Sequence, residues 1–300
     1  METPILFILF SRYHLAQRVF DEIKKQKPKY LYVAADGPRV NYKDEAERCQ
    51  QTRDIIKQVD WDCEVKTLFY DQNMGAAKAL SSSISWFFEN VEQGIIFEED
   101  CLPHQDFFPY CEELLEKYKD NQQVMFISGD NFQDGIQRGD ASYYFSAFPH
   151  IWGWACWRRS WDGYDFLLKN YSNKAFKTTL KQYFPSWLER QVWLDRFLLM
   201  KKQAINTWDY QLIFNIWKNH GLAILPNVNL ISNIGFGADA IHCTDEKHKF
   251  ANMPIHSILP LKHASLIERD LAADEYFYRT YYYKSLLSII YRTFKRLIIK

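Results

Sequence analysis

The chain has 300 residues, enough for one large domain or two small ones with a sizeable core, and its 47% hydrophobic and 25% charged residues exclude both a disordered chain and a small disulfide-stapled scaffold. Lys plus Arg and Asp plus Glu number 37 each, so the formal charge is zero and no global basic field exists to hold nucleic acid. Its 22 Phe, 19 Tyr and 10 Trp, 17% of the chain, supply rings to line a cleft as well as to fill a core.

The N-terminus carries an apolar run of six residues after Pro4, with no basic n-region and no small-residue cleavage site, and reads as a buried first strand over 5–10 rather than a signal peptide. A helix over 15–25 ending near Pro28 and a strand over 30–35 running into Asp36-Gly37-Pro38 follow. Next come a polar helix over 43–58, a strand near 65–70, a helix over 76–90 and a strand over 94–97. Short strands alternating with helices predict a parallel sheet with helices on both faces, and in such sheets ligands bind beyond the carboxyl ends of the strands. A helix near 107–119, a strand at 124–128 and a polar loop over 129–135 lead to a segment rich in Trp, then to a helical stretch reaching about 202. The spacing further predicts a helix over 208–219, stopped by Gly221 as its C′ residue, and strands over 222–225 and 229–234. No repeat, low-complexity segment or Gly/Ser/Pro linker divides the chain, and no stretch reaches the ~18–20 apolar residues needed to cross a bilayer. The six cysteines form no CxxC pair, which argues against a zinc site or a disulfide framework.

Two features point to chemistry. Glu98-Glu99-Asp100 directly follows an apolar strand, and three adjacent carboxylates repel one another unless a cation relieves them. A hard divalent ion is one solution, because carboxylate oxygens suit Mg²⁺ or Mn²⁺; a solvated acidic turn is the other reading. Asp209, at the start of the helix over 208–219, is either a helix cap or a general base. There is no GxxxxGK[ST] phosphate loop, no complete GxGxxG after the first strand, no HExxH and no GxSxG.

The order of these motifs resembles the GT-A fold of metal-dependent glycosyltransferases, and within it the animal N-acetylglucosaminyltransferase I class of inverting enzymes. The resemblance spans roughly residues 4 to 240. It is carried by Ser11-Arg12, Ala35-Asp36-Gly37, Asn73-Met-Gly75, Phe97-Glu-Glu-Asp100 with Pro103-His-Gln-Asp-Phe-Phe108, Ser128-Gly-Asp-Asn131, Phe148-Pro-His-Ile-Trp-Gly-Trp154, Trp208-Asp209 and Ser232-Asn-Ile-Gly-Phe-Gly237. It implies an α/β GT-A fold, a Rossmann-like mixed sheet with helices on both faces, in a catalytic domain over 1–245. Residues 1–100 would be the nucleotide-sugar-binding half and 101–245 the acceptor-binding half. Arg12, Asp36, Asn73, Gly75, Glu98 and Glu99 would hold the nucleotide sugar, with the Asp36 carboxylate accepting from a uracil or thymine N–H. Asp100 would bind Mn²⁺ or Mg²⁺, and His242 would lie near the metal or diphosphate. Asp209 would be the base that deprotonates the acceptor hydroxyl. Trp152 and Trp154 would stack on the acceptor sugar, with Gly153 admitting it. The long insertion between Trp154 and Asp209 departs from the animal enzymes and leaves the acceptor open.

From Tyr276 to Lys300 there is no acidic residue but six basic ones, and 283–300 reads as a basic amphipathic helix in a C-terminal extension over 246–300. The expected protein is therefore an inverting, metal-dependent transferase at the cytoplasmic face of a membrane. It would move sugar from a nucleotide-diphosphate donor, a UDP-sugar, to a glycan or lipid-linked acceptor in surface polysaccharide synthesis. The alternatives are a sugar nucleotidyltransferase, or a non-catalytic membrane-attached carbohydrate-binding protein.

Overall fold

The computed structural model describes residues 1–237, 245 and 247–282. The expected helix over 283–300 and His242 lie outside the described residues. The first half alternates as the sequence implies: β1 (Ile5–Leu9), α1 (Tyr13–Gln26), β2 (Tyr30–Ala35), α2 (Glu45–Arg53), β3 (Glu64–Phe69), α3 (Ala76–Asn90) and β4 (Gln93–Glu98). β1 is buried along its whole length, as expected of a parallel strand covered on both faces. β3, with Glu64 and Lys66, is a half-exposed edge strand. α1 buries Leu15, Ala16, Val19, Phe20 and Ile23, one stripe at helical spacing, and ends at left-handed Lys27 just before Pro28.

The second half contains β5 (Cys101–Pro103), α4 (Phe107–Lys117), β6 (Val124–Ser128), β7 (Tyr143–Ser146), β8 (Trp154–Trp157) and α5 (Arg158–Trp161). It continues with α6 (Asn173–Tyr183), α7 (Trp187–Lys201), α8 (Asp209–Lys218), β9 (Leu222–Pro226), β10 (Ile231–Asn233) and α9 (Leu271–Phe277). The main sheet runs β3-β2-β1-β4-β8-β6-β9-β7. β8 lies antiparallel between β4 and β6, and β7 is antiparallel to β9, so the sheet is mixed. Along β4, Gly94 abuts Phe87 of α3 whereas Phe97 packs on Phe107 and Phe108 of α4. Side chains alternate along a strand, so α3 and α4 cover opposite faces, and the Rossmann-like sheet with helices on both faces is present.

β1 stands between β2 and β4, and the chain reverses its direction of winding there. Such a switch point opens a crevice at the carboxyl ends of the strands. β5 and β10 form a two-stranded antiparallel ribbon directly beyond β4, which brings residues 233–237 back beside Asp100. Helix α8 ends differently from expectation: the left-handed residue is His220, at φ 57°, not Gly221. A Cβ on Gly221 would overlap Met125, so the glycine answers to packing. Residues 256–274 fold back onto the sheet: Asp106 accepts from Ile258 N–H at 2.9 Å, and the exposed side of β7 is covered by 262–270. Among the described residues no helix is long and apolar enough to cross a membrane.

Candidate functional site

The carboxyl ends of β1, β2 and β4 deliver Phe10 to Arg12, Asp36 and Glu98 to Asp100 to one crevice. Arg12 is its hub. Its Nε donates to Glu99 Oε1 at 2.7 Å, one terminal nitrogen to Asp100 Oδ2 at 2.8 Å, and the other to the Gly235 carbonyl at 3.3 Å. The second oxygen of Glu99 accepts from the Phe10 backbone N–H at 2.7 Å. The cation that first relieves the acidic triplet is thus the Arg12 guanidinium, and the two carboxylates hold its pKa above the ordinary arginine value despite burial. A Cβ on Gly235 would overlap the Asp100 carboxylate and crowd Arg12, so this position has room for glycine alone.

Relief is incomplete. Glu98 points to the α3 side of the sheet and is not among Arg12's hydrogen-bonded partners. Burial, then Asp100, push its carboxyl up to about 8, with Glu99 and Asp209 adding to the effect. Glu98, Glu99 and Asp100 therefore share one guanidinium. Asp100 has given Oδ2 to Arg12, while among the described residues Oδ1 keeps only a 3.6 Å contact from the Cys101 thiol. Mg²⁺ and Mn²⁺ in nucleotide sites commonly take one or two protein carboxylates and complete their shells with phosphate oxygens and water. One open carboxylate oxygen in a field of excess negative charge fits that requirement. Among the described residues there is no cluster of three His, Cys, Asp or Glu able to hold a metal by protein ligands alone.

Asp36 closes the β2 end of the crevice. Its Oδ1 accepts from the backbone N–H groups of Gly37 and Met74, both at 2.8 Å, and Oδ2 accepts from Asn73 Nδ2 at 2.9 Å. Burial raises its pKa, and the N–H groups work against that rise. Asn73 also donates to the Gly37 carbonyl at 2.9 Å. Asp36 and Asn73 thus fasten the turn that leads through Gly75, at φ 80°, into the first turn of α3. The Gly75 N–H also supports the charged form of this carboxylate. These residues border a pocket of about 270 Å³ that also takes in Phe10, Arg39 and Glu99. Arg39, whose guanidinium lies 3.8 Å from the Tyr42 ring and 2.5 Å from Glu45, was not singled out from the sequence. Its place directly after Asp36-Gly37-Pro38 was the available signal.

A second lobe of about 290 Å³ runs from Arg12, Glu98 and Asp100 to Trp152, Phe236 and Asp209. Asp209 is the first residue of α8; its carboxylate accepts from the Thr207 hydroxyl. Burial raises its pKa, opposed by that bond, by backbone N–H groups of its own turn and by Arg196. Arg196 comes from α7 of the insertion and also bonds the Tyr210 hydroxyl. The insertion, left unassigned by the sequence, thus reaches the neighbourhood of Asp209. Trp152 stands in the wall of this lobe. Trp154 does not: it is 1% exposed within β8, stacked between Phe126 at 4.8 Å and Trp208 at 6.0 Å. The sheet alternation that turns Trp154 into the core removes it from any acceptor. Gly153 admits Ile231 rather than a sugar, because a Cβ there would overlap the Ile231 side chain.

No known family model matches the chain, and no curated protein sequence matches it. Among solved structures it is similar to HddC from Yersinia pseudotuberculosis, at 10% identity over 52% of this chain and 78% of that one, with a TM-score of 0.31. It is also similar to an apo UDP-glucose pyrophosphorylase (9% identity, 77% and 93% covered, TM-score 0.38). A third is 4-diphosphocytidyl-2C-methyl-D-erythritol synthase from Anaerococcus prevotii (9%, 66% and 82%, TM-score 0.32). Likeness of this degree assigns the chain neither a family nor an activity.

Proposed function

We propose that the protein is an inverting glycosyltransferase that uses a nucleotide-diphosphate sugar, with UDP-sugars as the first class to examine. The observation that carries this reading is one continuous crevice with Asp36 at one end, the Arg12–Glu99–Asp100 cluster in the middle and the half-buried Asp209 at the other. The Asp36 carboxylate, at the β2 end of the crevice, would accept from the N–H of a uracil. The Asp100 carboxylate would hold Mn²⁺ or Mg²⁺, which supplies charge neutralisation to a departing diphosphate. Arg12 keeps the neighbouring carboxylates in place, and Glu98 faces the volume where the donor sugar would lie. Asp209 would accept the proton of the attacking hydroxyl; burial and the loss of water raise its basicity for that task. A base on the far side of the crevice from the diphosphate site favours a single displacement with inversion.

The alternative class, a sugar nucleotidyltransferase, is the one named by the similar UDP-glucose pyrophosphorylase, and it makes a different demand on the β1–α1 turn. A triphosphate needs a cradle of free N–H groups. Here α1 starts at Tyr13, the turn is Ser11-Arg12 without a glycine, and Arg12 is engaged by two carboxylates. Calorimetric titration of UDP with Mn²⁺, and after chelation, on wild type and Asp100→Ala tests the main reading. It expects saturable binding that weakens at least tenfold on chelation and in the variant. Binding that ignores both changes, together with pyrophosphate release from UTP and a sugar 1-phosphate, would replace it with the alternative.

A further inference from the structure

Residues 166–202, within the insertion between Trp154 and Asp209, carry eight basic residues and two acidic ones in a chain whose formal charge is zero. Positive charge is therefore gathered in one stretch, and the rest of the chain is net acidic. Helix α6 presents it. Lys174, Lys177 and Lys181 are exposed, and at about 100° per residue they fall within an arc of roughly 60°. Phe176, Thr179, Leu180 and Tyr183 take the opposite side of α6 into the core.

These lysines differ from those on the other surfaces. Lys24, Lys25, Lys57, Lys66 and Lys119 each lie 3.2 Å or less from a carboxylate. Among the described residues Lys174, Lys177 and Lys181 have no such partner, and α6 itself contains no acidic residue. Lys177 and Lys181 stand one turn apart, a spacing at which like charges destabilise a helix. An anionic surface laid along α6 would reverse the sign of that term.

The corner between α6 and α7 adds an apolar element. Trp187 is 64% exposed there, whereas the other nine tryptophans are buried or half-buried. A tryptophan left in water beside unpaired lysines matches the interface of an anionic bilayer. The ring settles at headgroup level, the ammonium groups meet lipid phosphates, and the lysine stems cover apolar surface. Single-stranded nucleic acid would instead call for several stacking rings along a groove. The end of the described chain lies on the same pair of helices: Tyr282 packs on Trp193 of α7 at 5.2 Å. The eighteen residues that follow it contain five basic residues and no acidic one.

We propose that the outer face of α6 and the α6–α7 corner, with Lys174, Lys177, Lys181 and Trp187, form a surface that docks on an anionic lipid bilayer. The docking does not depend on the glycosyltransferase reading. That it brings a lipid-borne acceptor to the crevice does rest on that reading, since α7 also carries Arg196 to the neighbourhood of Asp209.

Flotation of the full chain with vesicles of phosphatidylcholine, and of phosphatidylcholine mixed with phosphatidylglycerol, tests it. Binding is expected to the mixed vesicles alone, and to be lost in about 1 M salt, where charges are screened beyond ~3 Å. Combined Lys174→Gln, Lys177→Gln and Lys181→Gln, which keep good helix formers on an exposed face, should weaken it about tenfold or more. Trp187→Ala should weaken it about threefold or more. Combined Lys57→Gln, Lys66→Gln and Lys119→Gln, which remove the same charge from other surfaces, should leave it within about twofold. Equal loss in the two triple variants would overturn the proposal, because net charge alone would then govern binding. Binding that the α6 variant leaves intact would overturn it too, and would assign attachment to the residues after Tyr282. Absence of vesicle binding, with retention on heparin that the α6 variant loses, would overturn the bilayer and give this face to a soluble polyanion. UDP binding, read on the same preparation, decides the donor reading separately.

Discussion

At the scale of single residues, the site turns on what each carboxylate has for company. Asp209 is half-buried in the cleft wall, bonded to Thr207 and opposed to Glu98 across the cleft, so its charge is held where a proton can be received. Asp209→Asn keeps the shape and the Thr207 contact but removes the basicity. Sugar transfer, followed by product formation from a UDP-sugar, should fall by roughly 100-fold or more, the range of a general base, while the UDP dissociation constant stays within about twofold. Unchanged turnover would reduce Asp209 to a partner for Thr207. The sequence made Asp209 visible because a Trp-Asp pair opens an apolar helix. It could not show that Arg12 is engaged by Glu99 and Asp100, because those partners lie 87 and 88 positions away and only the sheet order brings them together. Trp154 misled for a related reason: Trp152 and Trp154 look alike in a Trp-Gly-Trp run, and which one enters the core depends on the register of β8 against β4 and β6.

At the scale of elements, the insertion shows how a helix can be legible while its purpose is not. The helical stretch before Lys202 is two helices, broken by Phe184 to Ser186, and α7 buries Trp193, Leu194, Phe197 and Met200. Ser186 caps it by accepting from the Glu189 N–H, the start of a capping box in which an ionised Glu189 would be favoured by the helix dipole. Tertiary packing overrides that preference. Burial, followed by Asp274 and Glu275 against the help of Arg269, pushes the Glu189 carboxyl up to about 7 from 4.5. Between those values the folded state holds a proton that the unfolded state has released, so stability falls as pH rises through the window. Glu189→Gln removes the difference. Its melting temperature relative to wild type should therefore climb between pH 4.5 and pH 8, as read by differential scanning fluorimetry in matched buffers. A difference that stays flat with pH would mean that Glu189 ionises normally and faces solvent. None of this was readable beforehand, because Asp274 and Glu275 belong to α9, in a segment that the sequence pattern set apart as an extension.

At the scale of the whole molecule, legibility divides along the sheet. The β1–β4 half was readable because each strand is followed by a helix that returns the chain in parallel, so local periodicity encodes the topology. The other half inserts β8 between β4 and β6 and β7 beyond β9, pairings between segments distant in sequence that no local period announces. That half is completed by the chain's later residues, and Asp274 is its fastening. Only 3% exposed, it accepts from the Ser146 hydroxyl at 2.5 Å, from the Ala147 N–H at 3.1 Å and from Arg269, tying α9 to the end of β7 just before the Phe148 to Trp154 run. Asp274→Ala would leave a hydroxyl, an N–H and a guanidinium without their shared acceptor in the interior. Removing one partner of a buried pair costs about 3–5 kcal/mol, which corresponds to a melting midpoint lower by roughly 5–8 °C for a chain of 300 residues. Asp140→Ala, which breaks the exposed pair with Lys262, should melt with the wild type by comparison. If both variants melt together with wild type, α9 is an appendage and the sheet stands without it. If Asp274→Ala alone melts early in one cooperative transition, the later residues belong to the same folding unit as the sheet.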